Sequence, residues 1–413
     1  MGNTARLEEP RSVSERDARK RNMRRMVAVS ILLVLLILWG WLFVQEGAFK
    51  HGPNGKSFGG DAAMYVSAAR VMKAGGNPYD SHLLYRSEQT WLAEQHVRQI
   101  APRSVVRVGN PPLLFWALEP LTDKPLTASA LACMALLGLS TLGGFLLLLG
   151  YLGWTARIVP SLVFLLMPQT VLGIYEANAI GLVFAGIAIA VVLADRNPWL
   201  AGAFLTAAWL KPPVGLPIAL MVILFISGRR QKVATSFGVA TALFALLTLL
   251  ATGAESIRQW INGMAGYSNA ITTSPAVSSL SGLYVRWAPG GARLALEAAT
   301  VLLAIGLTAF VWRSQAWKEG LPVLAVGWLW LAWFLAAPYA HFYDEILMTL
   351  PLMALLGPNG ERLSERGPVL ALYLTFFSLL LVSWAPGGVQ LLCVPLLAIA
   401  CVLYRRAPMA LGT

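Results

Sequence analysis

Residues 58–80 combine the signals of a short helix with a carboxylate that could do acid–base chemistry. The segment reads FGGDAAMYVSAARVMKAGGNPYD, in which glycines precede Asp61 and Gly75-Gly76 close a stretch of about four helical turns. An aspartate at the start of a helix can cap it or can act as a general base, and the sequence leaves both interpretations open. The helical spacing places a stripe of residues on one face: Asp61, Tyr65, Ala68, Ala69 and Met72.

Two cations stand in segments where a phosphate could bind. Lys211 lies between two apolar runs in AAWLKPPVGLP, and the prolines that follow it break the helix beside its ammonium group. Such a lysine can extend to lipid head groups, or it can hold a phosphate as a point charge. Arg286, in SLSGLYVRWAPGG, is a second phosphate-binding candidate.

The segment PYAHFYDE adds His341, Tyr343 and Asp344 at the start of an apolar run. A lone histidine packs or caps more often than it catalyses, but this one is among only four in the chain. A carboxylate, the lysine and the arginine named above together suit transfer of a group from a lipid-linked phosphate. Cations would stabilise the leaving phosphate, and a carboxylate would take the proton of the attacking hydroxyl.

The composition indicates that a membrane surrounds these residues. The chain is 57% hydrophobic and 13% charged, whereas soluble domains are about 25% charged. Apolar runs near the roughly 20 residues that cross a bilayer recur from Met26 onward, and no separate soluble domain is expected. We count about twelve spans, within a range of about 11–13. They lie at about 26–45, 128–150, 158–175, 178–194, 199–210, 213–227, 233–252, 294–312, 321–337, 342–356, 368–384 and 388–404.

The distribution of lysine and arginine predicts how the chain lies in the membrane. Basic residues cluster in alternate connections, which places both termini in the cytoplasm. We expect a basic tail over 1–25, one transmembrane domain over 26–404 and a tail over 405–413. Long outer loops are expected at 46–127 and 253–293, with interfacial helices in the first.

This orientation gathers the unusual polar residues of the chain on the outer face of the membrane. Polar groups that come from distant segments to one face indicate a functional site. The residues are Asp61, Tyr65, Glu176, Asn178, Lys211, Arg286, His341, Tyr343 and Asp344.

Other classes of protein have little support in the sequence. The net charge of +12 follows the topology, so no nucleic acid is expected as a partner. Cys133, Cys393 and Cys401 lie in apolar runs without metal spacing, and we expect neither a disulfide nor a zinc site. No hydrolase, nucleotide or dinucleotide motif is present, and no acidic cluster suits Mg²⁺, so a reaction without metal or cofactor is expected.

Several blocks in their order resemble glycosyltransferase family 87. They are the pattern from Asp61 to Asp80, then NPPLLFWALEPLT, EANAIGLVFAGIAIAVVLAD, AGAFLTAAWLKPPVGLPI, SLSGLYVRW and APYAHFYDEILMTLPL. That family comprises polyprenol-phosphate-mannose-dependent mannosyltransferases of the GT-C superfamily. The likeness covers roughly residues 26 to 400.

The resemblance implies an all-α, polytopic GT-C fold in a bacterial inner membrane, with the active site on the periplasmic face. It implies an inverting transfer of a sugar from a polyprenyl-phosphate donor to a glycolipid or glycan acceptor. Asp61 would be the general base, His341 a second catalytic residue and Lys211 the phosphate ligand. The further donor- or substrate-binding candidates are Tyr65, Tyr79, Asn178, Arg286 and Tyr343.

Two other interpretations stay open. A transporter or flippase for a lipid-linked sugar would also place polar residues in a membrane cavity, but transporters bind near the midplane and often contain inverted repeats. We find no repeat. A structural subunit would leave the gathered Asp, Lys, Arg and His unexplained.

Overall fold

The computed structural model describes residues 60–94, 108–154, 157–225, 229–271, 277, 279–288, 290–313, 323–350 and 353. This part of the chain is helical, and its one β-bridge pairs Val277 with His341. The first α-helices are α1 (Gly60–Lys73), α2 (Ser81–Glu94), α3 (Pro112–Ala117), α4 (Leu126–Tyr151), α5 (Ile158–Leu165), α6 (Pro168–Tyr175) and α7 (Ile180–Leu193). Then follow α8 (Pro198–Leu205), α9 (Pro212–Phe225), α10 (Arg230–Ile271), α11 (Ser281–Trp287), α12 (Gly291–Arg313) and α13 (Val323–Ala336). Short 3₁₀ helices cover Glu119–Leu121, Thr206–Leu210 and Phe342–Met348.

The helix predicted from Asp61 to the paired glycines is confirmed as α1. It ends where Gly75 takes a φ of +77°, which glycine adopts without strain, and Gly76 donates its N–H to the Val71 carbonyl at 2.9 Å. The chain then turns into α2, whose first turn is capped by Asp80. Its Oδ1 accepts from the N–H groups of His82 and Leu83 at 2.8 and 3.0 Å.

Ion pairs fasten the far end of α1 to its neighbours. Arg70 Nη2 bonds both carboxylate oxygens of Glu94, at 3.0 and 2.9 Å. Lys73 Nζ lies 2.9 Å from Asp123 Oδ2, and this hydrogen bond and the lysine charge lower the pKa of Asp123. These contacts hold α1 against α2 and against the chain that leads into α4.

Three helices within the described ranges are long and apolar enough to cross a membrane: Ala128–Tyr151, Arg230–Met264 and Gly291–Arg313. Shorter apolar helices cover Ile180–Leu193, Pro198–Leu210 and Pro212–Phe225. The predicted first span 26–45, the last two spans 368–384 and 388–404, both tails, Cys393 and Cys401 lie outside the described residues. Cys133 is a free, buried thiol.

Some predicted boundaries differ from the structure. The run 158–175 is two helices, because Pro168 begins α6 after Met167 adopts an extended backbone. The predicted loop 253–293 is helical as far as Ile271, since α10 continues beyond a kink at Gly253. The run 342–356 begins as a 3₁₀ helix over Phe342–Met348.

The core is centred on α7, which is apolar on all sides and packs against α4 and α8. Small residues allow these helices to approach closely. A Cβ atom on Gly186 would lie 2.7 Å from the Phe204 carbonyl oxygen, and one on Gly144 would lie 2.9 Å from the Phe184 ring. Between the core helices α8 and α9, Leu210 and Lys211 line a cavity.

Candidate active site

A small cavity lies where segments from both halves of the described chain meet. Its wall contains polar side chains, backbone groups and apolar side chains. These groups come from segments that are far apart in the sequence. The cavity is lined by Asp61, Met64, Tyr65, Val108, Gly109, Asn110, Asn178, Leu210, Lys211 and Tyr339.

The start of α1 is fixed by the turn between α6 and α7. The Asp61 N–H donates to the Glu176 carbonyl at 2.8 Å, and the Asn178 N–H donates to the Gly173 carbonyl at 2.8 Å. Ala177, between Glu176 and Asn178, has a φ of 57°. This is a left-handed conformation that is uncommon for residues other than glycine. This tight turn brings Asn178 beside Asp61.

Asn178 connects the carboxylate to the lysine. Its Oδ1 accepts from the Ile180 N–H at 3.0 Å, which fixes the orientation of the amide. Nδ2 therefore faces Asp61, and it donates to Oδ2 at 2.5 Å and to the Tyr65 hydroxyl at 3.4 Å. An N–H group aimed at a carboxylate stabilises its ionised form.

Lys211 is buried rather than extended to the lipid surface. Its side chain is 7% exposed, and Nζ lies 2.5 Å from Asp344 Oδ1. The ammonium also lies 3.4 Å from Asn178 Oδ1 and 4.4 Å from the centre of the Tyr343 ring. The interpretation that this lysine reaches lipid head groups is wrong, because an ion pair inside the protein holds it.

The sequence gives no partner for Asp344, and the structure makes it the partner of Lys211. Its side chain is fully buried, and its Oδ2 accepts from the His341 N–H at 2.8 Å. The His341 ring stacks on Tyr343 with 5.1 Å between ring centres. His341 and Tyr343 thus lie behind Lys211, outside the cavity wall.

The wall at Val108–Asn110 is held by groups from three directions. Tyr79 donates its hydroxyl to the Asn110 carbonyl at 2.9 Å, and Trp260 Nε1 donates to the Gly109 carbonyl at 3.0 Å. Asn110 Nδ2 donates to the Leu210 carbonyl at 2.9 Å, directly before Lys211. Tyr79 therefore supports the wall from outside the cavity, and burial raises its pKa so that it remains a neutral donor.

Two further residues, Tyr339 and Arg286, differ in how the structure places them. Tyr339 lines the cavity although the sequence did not single it out, and burial together with the Asp344 charge raises its pKa, so the phenol remains protonated. Arg286 belongs to α11. At the start of this helix, the Leu280 N–H donates at 3.1 Å to the Leu335 carbonyl near the end of α13. The position of the Arg286 side chain lies outside the described part.

Metal-ligating side chains do not gather in groups of three or more within the described ranges. The absence of a metal requirement stays a prediction.

The fold and the cavity define a multi-pass helical membrane protein with a carboxylate and a lysine at one polar site. Comparison with protein families identifies the family. The model of glycosyltransferase family 87 matches residues 109–358, more than half of the chain, and the protein belongs to this family of glycosyltransferases. No curated protein and no solved structure matches the chain.

The matched segment contains part of the site. Asn110, Asn178, Lys211 and Asp344 lie within it, whereas Asp61 and Tyr65 precede it. The contact of Asp61 with Asn178 is therefore one structural link between the residues that precede the matched region and that region.

Proposed function

We propose that the protein transfers a sugar from a polyprenyl-phosphate donor to a hydroxyl group of a glycolipid or cell-envelope glycan, with inversion at the anomeric carbon. Mannose is the sugar we propose first. The reaction takes place on the outer face of a bacterial inner membrane, in a GT-C fold of about twelve spans with both termini in the cytoplasm.

The observation that carries this proposal is the position of Asp61 and Lys211 in the wall of one cavity, joined through Asn178. A transfer from a phosphate needs a base for the attacking hydroxyl and a cation for the leaving group. Asp61 and Lys211 are a carboxylate and a cation in the wall of the same cavity. Membership in a glycosyltransferase family supplies the class of reaction.

The proposed step uses Asp61 as the general base. Its carboxylate takes the proton of the acceptor hydroxyl, and the oxygen attacks the anomeric carbon on the face opposite to the phosphate. The bond from that carbon to the phosphate oxygen breaks, and its electron pair leaves with the polyprenyl phosphate. Lys211 offsets the negative charge that develops on this leaving group.

The other residues have supporting roles in this scheme. Tyr65 and Tyr339 shape the pocket and offer hydroxyl groups to the substrate, while Tyr79 holds the wall. His341 and Tyr343 position the Lys211–Asp344 pair. Arg286 is proposed as a second phosphate ligand, and no metal or other cofactor is proposed to take part.

The experiment is transfer of radiolabelled mannose from polyprenyl-phosphate-mannose to a membrane lipid extract. Wild type is compared with Asp61→Asn, which removes the base, and with Asp80→Asn. The last change lies in the same outer segment, where asparagine can still cap α2. A parallel reaction contains EDTA.

We expect label in a new glycolipid with wild type and Asp80→Asn, with or without EDTA, and none with Asp61→Asn. Asp61→Asn should still bind the donor, because the phosphate ligand remains. Turnover by Asp61→Asn would refute the assignment of the base. Donor binding without transfer by wild type, followed by movement of the donor across vesicles, would favour a flippase.

A further inference from the structure

The contacts of Lys211 leave no donor free for a phosphate. An ammonium group has three N–H bonds. In the structure Nζ contacts Asp344 at 2.5 Å, Asn178 at 3.4 Å and the face of the Tyr343 ring. A phosphate that binds Lys211 must therefore displace one of these partners.

The geometry indicates which partner gives way. The contact with Asn178 is the longer of the two hydrogen bonds, and Asn178 and Lys211 both line the cavity. Asn178 Oδ1 also keeps its bond from the Ile180 N–H when the lysine leaves it. A phosphate arriving through the cavity would thus take the place of Asn178 and share the ammonium with Asp344.

Asp344 cannot move away to reduce the repulsion that follows. Its side chain is fully buried, and Oδ2 is held by the His341 N–H at 2.8 Å. A bound phosphate would therefore lie next to a second anion on the same cation. The Asp344 carboxylate therefore opposes each further negative charge on the phosphate and reduces the attraction that Lys211 exerts on it.

The proposed reaction changes that charge. The donor is a phosphodiester with one negative charge, whereas the product is a phosphomonoester whose second ionisation has a pKa of about 6. At neutral pH the product therefore carries close to two charges. The fixed carboxylate should weaken the binding of the product more than that of the donor.

We propose that Asp344 is a positioning residue that lowers the affinity of Lys211 for the doubly charged product more than for the singly charged donor and so promotes product release. This inference rests on the proposed function, because it takes a lipid phosphate as the ligand. It acts through Lys211, and Asp344 itself touches no reacting atom.

The test measures binding, so it needs no sugar transfer. Two probes share one short polyprenyl chain: the monophosphate, which is the product analogue, and its methyl phosphodiester, which carries one charge and cannot transfer a sugar. Their dissociation constants are measured calorimetrically for wild type, Asp344→Asn and Asp123→Asn. Asp123 is a matched control, because its ion pair with Lys73 is exposed and lies outside the cavity wall.

We expect Asp344→Asn to tighten monophosphate binding about tenfold more than diester binding at neutral pH. Asp123→Asn should leave the ratio of the two constants at the wild-type value. An equal change for both probes, or a weaker binding of the monophosphate alone, would overturn the inference. If wild type binds neither probe, the proposed function fails together with the inference. If wild type binds both probes and Asp344→Asn leaves their ratio unchanged, only the inference fails.

The pH dependence provides a second test, with wild type beside Asp344→Asn. Between pH 5.5 and 7.5 the monophosphate gains its second charge while the diester does not change. The groups around the site, Asp61, Tyr65, Tyr339, His341, Tyr343 and Glu345, are the same in both proteins, so the difference between the two proteins reports the Asp344 carboxylate. As the pH rises, the affinity for the monophosphate relative to the diester should increase about tenfold more in Asp344→Asn than in wild type. The same pH dependence in both proteins, or a larger increase in wild type, would overturn the inference.

Discussion

Asn178 Nδ2 lies 2.5 Å from Asp61 Oδ2, although 117 positions separate the two residues in the chain. The carboxylate is thus oriented by an amide that is itself fixed through the Ile180 N–H. The same amide contacts Lys211, so the proposed base and the proposed phosphate ligand are positioned by one side chain. A change at Asn178 should therefore alter the positions of both Asp61 and Lys211.

Replacing Asn178 by serine should lower kcat/KM about 100-fold, because a serine is too short to reach Asp61 and a misplacement of about 1 Å has that effect. Asn197→Ser is the matched control. Asn197 caps α8, where its Oδ1 accepts from the Leu200 N–H at 3.1 Å, and serine also caps helices well. Steady-state transfer assays would compare the two variants. Activity of Asn178→Ser within a few-fold of Asn197→Ser would contradict the role of Asn178.

Replacing Lys211 by methionine should destabilise the protein by about 3–5 kcal/mol, because Asp344 would remain buried without its cation. The double variant Lys211→Met with Asp344→Asn should regain most of that stability and still lack transfer activity. Thermal unfolding in detergent measures the first effect and the mannose assay the second. Equal melting temperatures for the single and double variants would show that the ion pair contributes little to the fold.

Replacing Gly202 by alanine should destabilise the contact of α8 with α10 by about 1–3 kcal/mol. A Cβ atom there would meet the Val233 carbonyl oxygen and lie 2.6 Å from the Ser236 Cβ. Gly238→Ala is the control. Gly238 lies in α10, and a Cβ atom there has no neighbour within 4 Å among the described residues. The control should be neutral or slightly more stable, because alanine favours helix. A similar loss of melting temperature in both variants would contradict the packing argument.

Local parts of this structure could be predicted from the sequence. The helix after Asp61 and its end at Gly75 follow from residues within the segment itself. Asp61 and Lys211 could be singled out as site candidates because charged residues are rare in such an apolar chain, and the structure brings both into one cavity.

The partners of these residues could not be predicted, because they depend on contacts between distant segments. Lys211 and Asp344 are 133 positions apart, and no local pattern distinguishes Asp344 from Glu345. The left-handed turn at Ala177 was also missed, since alanine gives no signal for a positive φ. The break in the run 158–175 did have a signal, because Pro168 lies inside it.

The wall of the cavity offers a test of coupling between two distant supports. Tyr79 and Trp260 donate to successive carbonyl groups, those of Asn110 and Gly109, so each helps to hold the same short segment. Tyr79→Phe and Trp260→Phe each remove one hydrogen bond with a net value of about 0.5–1.5 kcal/mol. We expect each change alone to lower kcat/KM by roughly two- to tenfold, mainly through KM, since the base and the lysine keep their partners.

The double variant should lose less than the product of the two single effects. Once one hydrogen bond is lost, the backbone at residues 109–110 is already less well fixed. Loss of the second hydrogen bond then changes its position less. Trp91→Phe is the control, because Trp91 Nε1 donates to the Lys124 carbonyl at 3.3 Å, outside the cavity wall. Strictly additive losses, or an equal loss in Trp91→Phe, would mean that Tyr79 and Trp260 support the fold in general rather than this wall.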